Sequence, residues 1–178
     1  MAGKLKLATV WLGGCSGCHM SLLDLDTWLI DLAALADLVY SPIADQKHFP
    51  DGVDLSLVEG AVANEEHLAL AQEVRHKSRV LVAMGDCAVT GNVTALRNQL
   101  GAPDRLLQQI YVEHGDARGV LPAAPGIIPR LLDRVVPLHA VVPVDHYLPG
   151  CPPAAPQIRA LLKALLSGAP PPAGGRFG

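Results

Sequence analysis

Apolar runs alternate with amphipathic stretches along this chain, and that rhythm predicts most of its elements. Residues 4–12, KLKLATVWL, read as a first strand that is polar only at its start. Residues 19–37 read as one helix, with Leu22, Leu25, Leu29, Leu32 and Ala36 in a stripe at helical spacing. Leu23, Trp28, Ile30 and Leu35 add apolar surface elsewhere, so this helix is expected to be covered on more than one side. LVYSPI (38–43) is a second short strand. VDLSLVEGAV (53–62) is a third, mostly apolar, as in a sheet buried on both faces. Asn64 is placed to cap a helix over 65–78, with carboxylates in its first turn and bases in its last, as the helix dipole favours. RVLVAMG (79–85) is the fourth and clearest strand, leading into a glycine-punctuated turn and a short helix over 86–100.

From Gly101 to Gly150 the pattern degrades. Prolines 103, 122, 125, 129, 137, 143 and 149 interrupt it, leaving a helical turn at PRLLDRV (129–135) and a short strand near DHYL (145–148). Order returns over 151–168. Pro153 and Pro156 suit a first helical turn, Ile158, Leu161, Leu162 and Leu165 form a stripe, and Gly168 ends the helix. Residues 1–168 are thus expected to form one domain, and 169–178 a Pro/Gly-rich tail too broken to pack. The alternation of strand and helix argues for an α/β fold, a parallel sheet with helices on both faces, three layers in all.

At 178 residues, half of them hydrophobic, the chain can bury a sizeable single core. A net charge of -3 gives no reason to expect a nucleic-acid partner. Between Met20 and Glu66 ten carboxylates face one base, Lys47, while Lys and Arg predominate afterwards. Such a run is either a solvated acidic face or a docking surface for a basic partner. There is no secretory signal at the N-terminus, no arginine pair for twin-arginine export, and no apolar run of membrane-spanning length. A soluble, cytoplasmic protein with no membrane partner is expected. Its four cysteines are then metal ligands or catalytic thiols rather than disulfides.

Cys15 and Cys18 follow strand one, Cys87 follows strand four, and Cys151 follows the last strand. In parallel sheets ligands sit outside the carboxyl ends of the strands, so all four thiols fall on the functional edge. Three chemistries are open to them. A zinc knuckle wants a second CxxC, which is missing here. A thioredoxin-type dithiol uses only the first pair. An iron–sulfur cubane takes one thiolate per iron from dispersed loops and accounts for all four. Gly13, Gly14 and Gly17 around the first pair, Gly85 and Gly91 around Cys87, and Gly150 before Cys151 let the backbone turn tightly and aim N–H groups at sulfur. Pro152 and Pro153 fix the chain beyond the last thiol.

Taken together, GCSGCHMSLLD, LVEGAV, GDCAVTGN and PGCPP resemble the small subunit of nickel–iron hydrogenases, and more narrowly the short cytoplasmic type of NAD-reducing (bidirectional) enzymes. The resemblance runs from the first strand to the last helix, in the family's order. It implies a flavodoxin-like, doubly wound domain with Cys15, Cys18, Cys87 and Cys151 as ligands of one proximal 4Fe–4S cluster at the C-terminal edge of the strands. It also implies a large partner subunit bearing the nickel–iron site, and diaphorase partners carrying iron–sulfur centres, FMN and NAD. Longer small subunits add cysteines for two further clusters, and exported ones a leader. Neither is present here, as in the NAD-linked type. Coenzyme-F420- and NADP-linked hydrogenases use related subunits. The cluster-bearing subunit of respiratory complex I is the runner-up, with similar GDCA and GCPP but adjacent cysteines where this chain has Ser16 and Gly17 between them.

Hydrogen chemistry is not expected on this chain, which lacks the two CxxC motifs that hold nickel. Glu59, at the end of an apolar strand, is either a hydrogen-bonded carboxylate or an interface group in proton movement. His19 is either a donor to the cluster or the start of the helix, and Asp86 beside Cys87 is a turn residue or, less favoured, a redox tuner. Trp11 and Trp28 suit core or interface packing. Histidines 48, 67, 76, 114, 139 and 146 have no metal spacing, and without a phosphate loop or GxGxxG fingerprint NAD is not expected here. A flavin carrier holding FMN at the same edge, or a zinc scaffold, are the alternatives from other classes.

Overall fold

The computed structural model describes residues 3–115 and 119–170, so most of the expected tail lies outside the described residues. Five parallel strands form the central sheet: β1 (Leu5–Trp11), β2 (Ala36–Tyr40), β3 (Val53–Glu59), β5 (Ser78–Met84) and β7 (His146–Leu148), in the order β2-β1-β3-β5-β7. The winding direction reverses between β1 and β3, the flavodoxin-like arrangement. Alternation along the strands sorts the core into two layers. Leu7, Leu57, Val82, Met84 and Leu148 pack with α1 (Gly17–Leu23), α2 (Trp28–Leu35) and α7 (Ala155–Leu166). Ala8, Val10, Val58, Leu81 and Ala83 pack on the opposite face with α3 (Glu65–Lys77) and α4 (Asp86–Thr90). The expected α/β three-layer fold is the one observed.

Several local expectations need correcting. The single helix over 19–37 is two helices, α1 and α2, broken at Asp24–Thr27, where Asp26 takes a left-handed φ of 52°. Asp and Thr compete for their own backbone and do not sustain a helix interior. The chain then enters β2 directly at Ala36, two residues earlier than expected. Its stripe holds for buried Leu22, Leu25, Leu32 and Ala36, and Trp28 is also core, with Arg159 and Lys163 over its ring at 5.5 and 5.9 Å. The third strand stops at Glu59. Gly60, at φ 92°, turns the chain so that β4 (Val62–Asn64) leaves the main sheet and pairs antiparallel with β6 (Leu131–Val136).

That β6 occupies the stretch expected as a helical turn. Its partner is 67 or more residues away in sequence, and Asn98 fixes it by bonding both the N–H and the carbonyl of Val135 at 2.7 and 2.8 Å. The helix expected over 86–100 is three short pieces: α4, α5 (Asn92–Ala95) and a 3₁₀ turn over Leu96–Gln99. A further helix, α6 (Pro103–Gln108), starts on proline and has no counterpart among the expected elements. The Asn64 cap is as expected, its Oδ1 accepting the His67 N–H at 2.7 Å. In α7, Pro156 occupies the first turn while Pro153 stays outside it.

Candidate metal centre

The three turns that carry cysteine lie at the carboxyl ends of β1, β5 and β7. Their approach is enforced by hydrogen bonds between loops. Gly85 N–H donates to Leu148 O at 2.8 Å, Asp86 N–H to Gly150 O at 2.9 Å, and Gly150 N–H to Asp86 Oδ1 at 2.7 Å. Asp86 is therefore more than a turn residue, because its carboxylate ties the Cys87 loop to the Cys151 loop. Ser21, buried in α1, donates to Pro153 O at 2.6 Å and fastens the Cys151 loop to the helix that bears Cys18. Leu12 N–H to Glu59 O (2.8 Å) and the reciprocal Gly13–Ala61 pair hold the Cys15 loop to the end of β3.

All four cysteines are free thiols; Cys18 is buried, Cys87 half-buried, Cys15 and Cys151 exposed. Burial pushes the Cys18 thiol far up, and a negative charge there is further opposed by Glu59 and by each of Cys87, Cys15 and Cys151. Cys87 is also raised, chiefly by burial, against the pull of Thr94. Burial and the nearness of the other thiols thus both disfavour the thiolate at Cys18 and Cys87. Among the described residues no three His, Cys, Asp or Glu side chains gather closely enough to hold a single metal ion.

The glycines serve close approach. A Cβ on Gly85, at φ 84°, would stand 2.1 Å from Cys18 Sγ, and one on Gly17 would stand 3.2 Å from Cys15 Sγ. The expectation that these glycines aim their N–H groups at sulfur needs correcting for four of them. The amides of Gly13, Gly85, Gly91 and Gly150 bond to oxygens of Ala61, Leu148, Cys87 and Asp86. Gly14 instead admits Glu59, whose Oε1 would lie 3.5 Å from a Cβ there.

Glu59 is 1% exposed and His19 4%. Glu59 Oε2 accepts both the His19 main-chain N–H, at 2.8 Å, and the ring Nδ1, at 2.5 Å. His19 does not start the helix, which begins at Gly17. With Nδ1 donating, Nε2 is buried without a hydrogen-bond partner. Trp11 sits opposite Glu59 in the strand register and is 44% exposed, and Met20 and Leu23 of α1 are exposed as well. Asn92 is a site residue that the sequence pattern does not single out. Its carboxamide Nδ2 donates to Cys151 Sγ at 3.4 Å, a contact across 59 residues that only its place in GDCAVTGN hints at.

Comparison with known proteins bears on what this rim is. The chain is 38% identical over 172 residues to the NAD-reducing hydrogenase HoxS subunit delta of Cupriavidus necator, spanning 94% of this chain and 81% of that one. It is 42% identical over 174 residues to a subunit of the vhu F420-non-reducing hydrogenase of Methanococcus voltae. It spans somewhat over half the length, 55–59%, of that protein and of similar methanogen subunits. A crystal structure of NAD+-reducing [NiFe]-hydrogenase in the H2-reduced state contains a chain that superposes with TM-score 0.93 at 40% identity, covering 99% of this chain and 100% of that one. The family model described as NADH ubiquinone oxidoreductase, 20 Kd subunit, matches residues 15–165. By these matches the chain belongs to the NADH ubiquinone oxidoreductase 20 kDa subunit family, on its hydrogenase small-subunit side.

Proposed function

We propose that this chain is the electron-relay small subunit of an NAD-reducing nickel–iron hydrogenase working in the cytoplasm, where unpaired thiols persist. Cys15, Cys18, Cys87 and Cys151 would hold one 4Fe–4S cluster proximal to a nickel–iron site on a large partner subunit. Electrons would pass on to diaphorase partners carrying FMN and binding NAD. The observation that carries this reading is that four free thiols from three strand ends lie on loops tied to one another by hydrogen bonds. A cubane takes one thiolate per iron from separate loops, so it accounts for all four cysteines.

Such a cluster, when bound, supplies one-electron transfer. The chain's own residues supply the rest. Gly85 and Gly17 leave room beside the sulfurs, and the Asp86 and Ser21 contacts set the loop spacing. Exposed Trp11, Met20 and Leu23 offer an apolar rim for the large subunit to cover, excluding water from the electron path. Glu59, pinned by His19 beneath the rim, is the proposed polar group for proton movement near that interface. A Glu59→Gln form that assembles normally with unchanged H2 turnover and H/D exchange removes that role. Among the described residues no helix is long and apolar enough to cross a membrane.

The deciding experiment is anaerobic purification of the assembled protein with iron, sulfide, zinc and flavin analysis. Wild type is expected to hold about four irons and four sulfides more than a Cys18→Ser form per copy of this chain, and to be reduced under H2 with NAD+ as final acceptor. One zinc, or a flavin with no iron, overturns the reading. Iron without any H2-dependent electron transfer keeps the cluster and rejects the hydrogenase assignment.

A further inference from the structure

Reduction of a cluster puts negative charge on its sulfurs, so N–H groups aimed at sulfur favour the reduced form and raise its potential. Four of the glycine amides best placed by sequence for that task are bonded to oxygen instead. Among the described residues, the side-chain donor hydrogen-bonded to a cysteine sulfur is the Asn92 carboxamide, on Cys151 at 3.4 Å. A thiolate accepts only, so the NH2 end of the amide is the end that faces it. Asn92 is set up for this reach. It follows Gly91 at φ 89°, itself takes a left-handed φ of 33°, and its N–H bonds to Thr90 Oγ1 at 3.3 Å. Two residues on, the Thr94 hydroxyl donates to Gly13 O at 2.9 Å, which anchors the same turn to the Cys15 loop.

We propose that Asn92 tunes the cluster: its carboxamide N–H, bonded to the Cys151 sulfur, raises the cluster's electron affinity and so makes it a better acceptor. The inference rests on the assignment of the four cysteines as cluster ligands. Cys151 is, with Cys15, one of the two exposed thiols, whereas Cys18 is buried.

The test uses the assembled protein, purified anaerobically, as wild type, Asn92→Gly and Asn92→Asp. Glycine keeps the left-handed backbone and removes the donor; aspartate keeps the shape and replaces the donor with a negative acceptor. Iron and sulfide content are measured first, then the cluster potential by EPR-monitored titration. Both variants are expected to retain their iron. At the wild-type midpoint the reduced-to-oxidised ratio should fall about tenfold in Asn92→Gly, a shift of about 59 mV for one electron. It should fall further in Asn92→Asp. Unchanged potentials, or an order that does not follow wild type, glycine, aspartate, overturn the proposal. Loss of iron from either variant overturns it too, since Asn92 is then a structural residue. Absence of any iron–sulfur signal in the wild type instead rejects the ligand assignment beneath it.

Discussion

The two edges of the central sheet solve opposite problems. At the amino ends of the strands, charged side chains answer one another in water. Lys77 reaches Glu73 at 2.8 Å and Asp51 at 3.3 Å, Arg79 reaches Asp54 at 3.5 Å, and Arg75 reaches Asp145 at 2.6 Å. At the carboxyl ends Glu59, His19 and Cys18 are buried and the Asp86–Gly150 tie is half-buried, leaving Cys15 and Cys151 exposed. Exposed ion pairs are each worth about 0–1 kcal/mol, while a buried polar group left unpaired costs about 1–3 kcal/mol. The edge with many charges is therefore the tolerant one. The edge with few is where single atoms decide the outcome, and exposed Trp11 lies at it.

The sharpest way to break that contrast is at the thiols. Cys18→Ser is expected to abolish iron binding and with it all H2-dependent electron transfer, while the chain keeps its far-UV circular dichroism. Cys18 sits at the end of one core layer, and serine removes a ligand without altering the strands. Retention of full iron content in Cys18→Ser would contradict the centre as drawn. Next in size is Gly85→Ala. The new methyl would stand 2.1 Å from Cys18 Sγ on a backbone with φ 84°. Strain of this kind costs about 1–3 kcal/mol before the clash is counted, so a loss of about 3 kcal/mol or more is expected, read as a lower denaturation midpoint together with lower iron occupancy. At the opposite edge Gly52→Ala, with its Cβ position clear to 4.0 Å from Lys6 Nζ, meets only the backbone penalty of φ 67° and serves as the control.

The same contrast explains what was legible in the sequence. Residues that act through their own neighbourhood announced themselves: Asn64 as a cap, the β5 run over 79–85, the α7 stripe, and the four cysteines in turns after strands. Glu59 stood out because an apolar strand ended on a carboxylate. What the sequence concealed depends on contacts between distant segments. The β4–β6 ladder joins residues 62–64 to 131–136, and no local period marks 131–136 as a strand when its only partner is so far away. Asn92 looks like one more residue of a turn until Cys151 is folded against it. The glycine amides misled for a related reason, since those of Gly13, Gly85 and Gly150 bond to oxygens brought in by another segment, while Gly91 closes on the Cys87 carbonyl of its own helix. The α1–α2 break was the one miss with a local signal, two Asp and a Thr within four residues.

The smallest expected effect lies at the tolerant edge and sharpens the comparison by its sign. Burial alone would raise the Asp145 carboxyl, but the Arg75 hydrogen bond, the Leu81 N–H and nearby positive charge outweigh it and hold the group below its ordinary value of 3.8. A carboxyl depressed in the folded state stabilises the fold above the unfolded value. That contribution is lost as pH falls through the lower, folded one. Asp145→Asn should therefore cost stability at neutral pH, and the gap from wild type should close on acidification below about 3.8. Acid loss of the cluster is common to both proteins and cancels in the difference between their denaturation midpoints. Because the Asp145 side chain is 41% exposed, solvent screening limits the gap to less than about 1 kcal/mol. Asn retains an oxygen for the Leu81 N–H, so what disappears is mainly the charge pair with Arg75, and 1 M salt should shrink the gap further. A gap that widens in acid, or one comparable to that of Gly85→Ala, would mean that this edge is not the solvated surface its ion pairs describe.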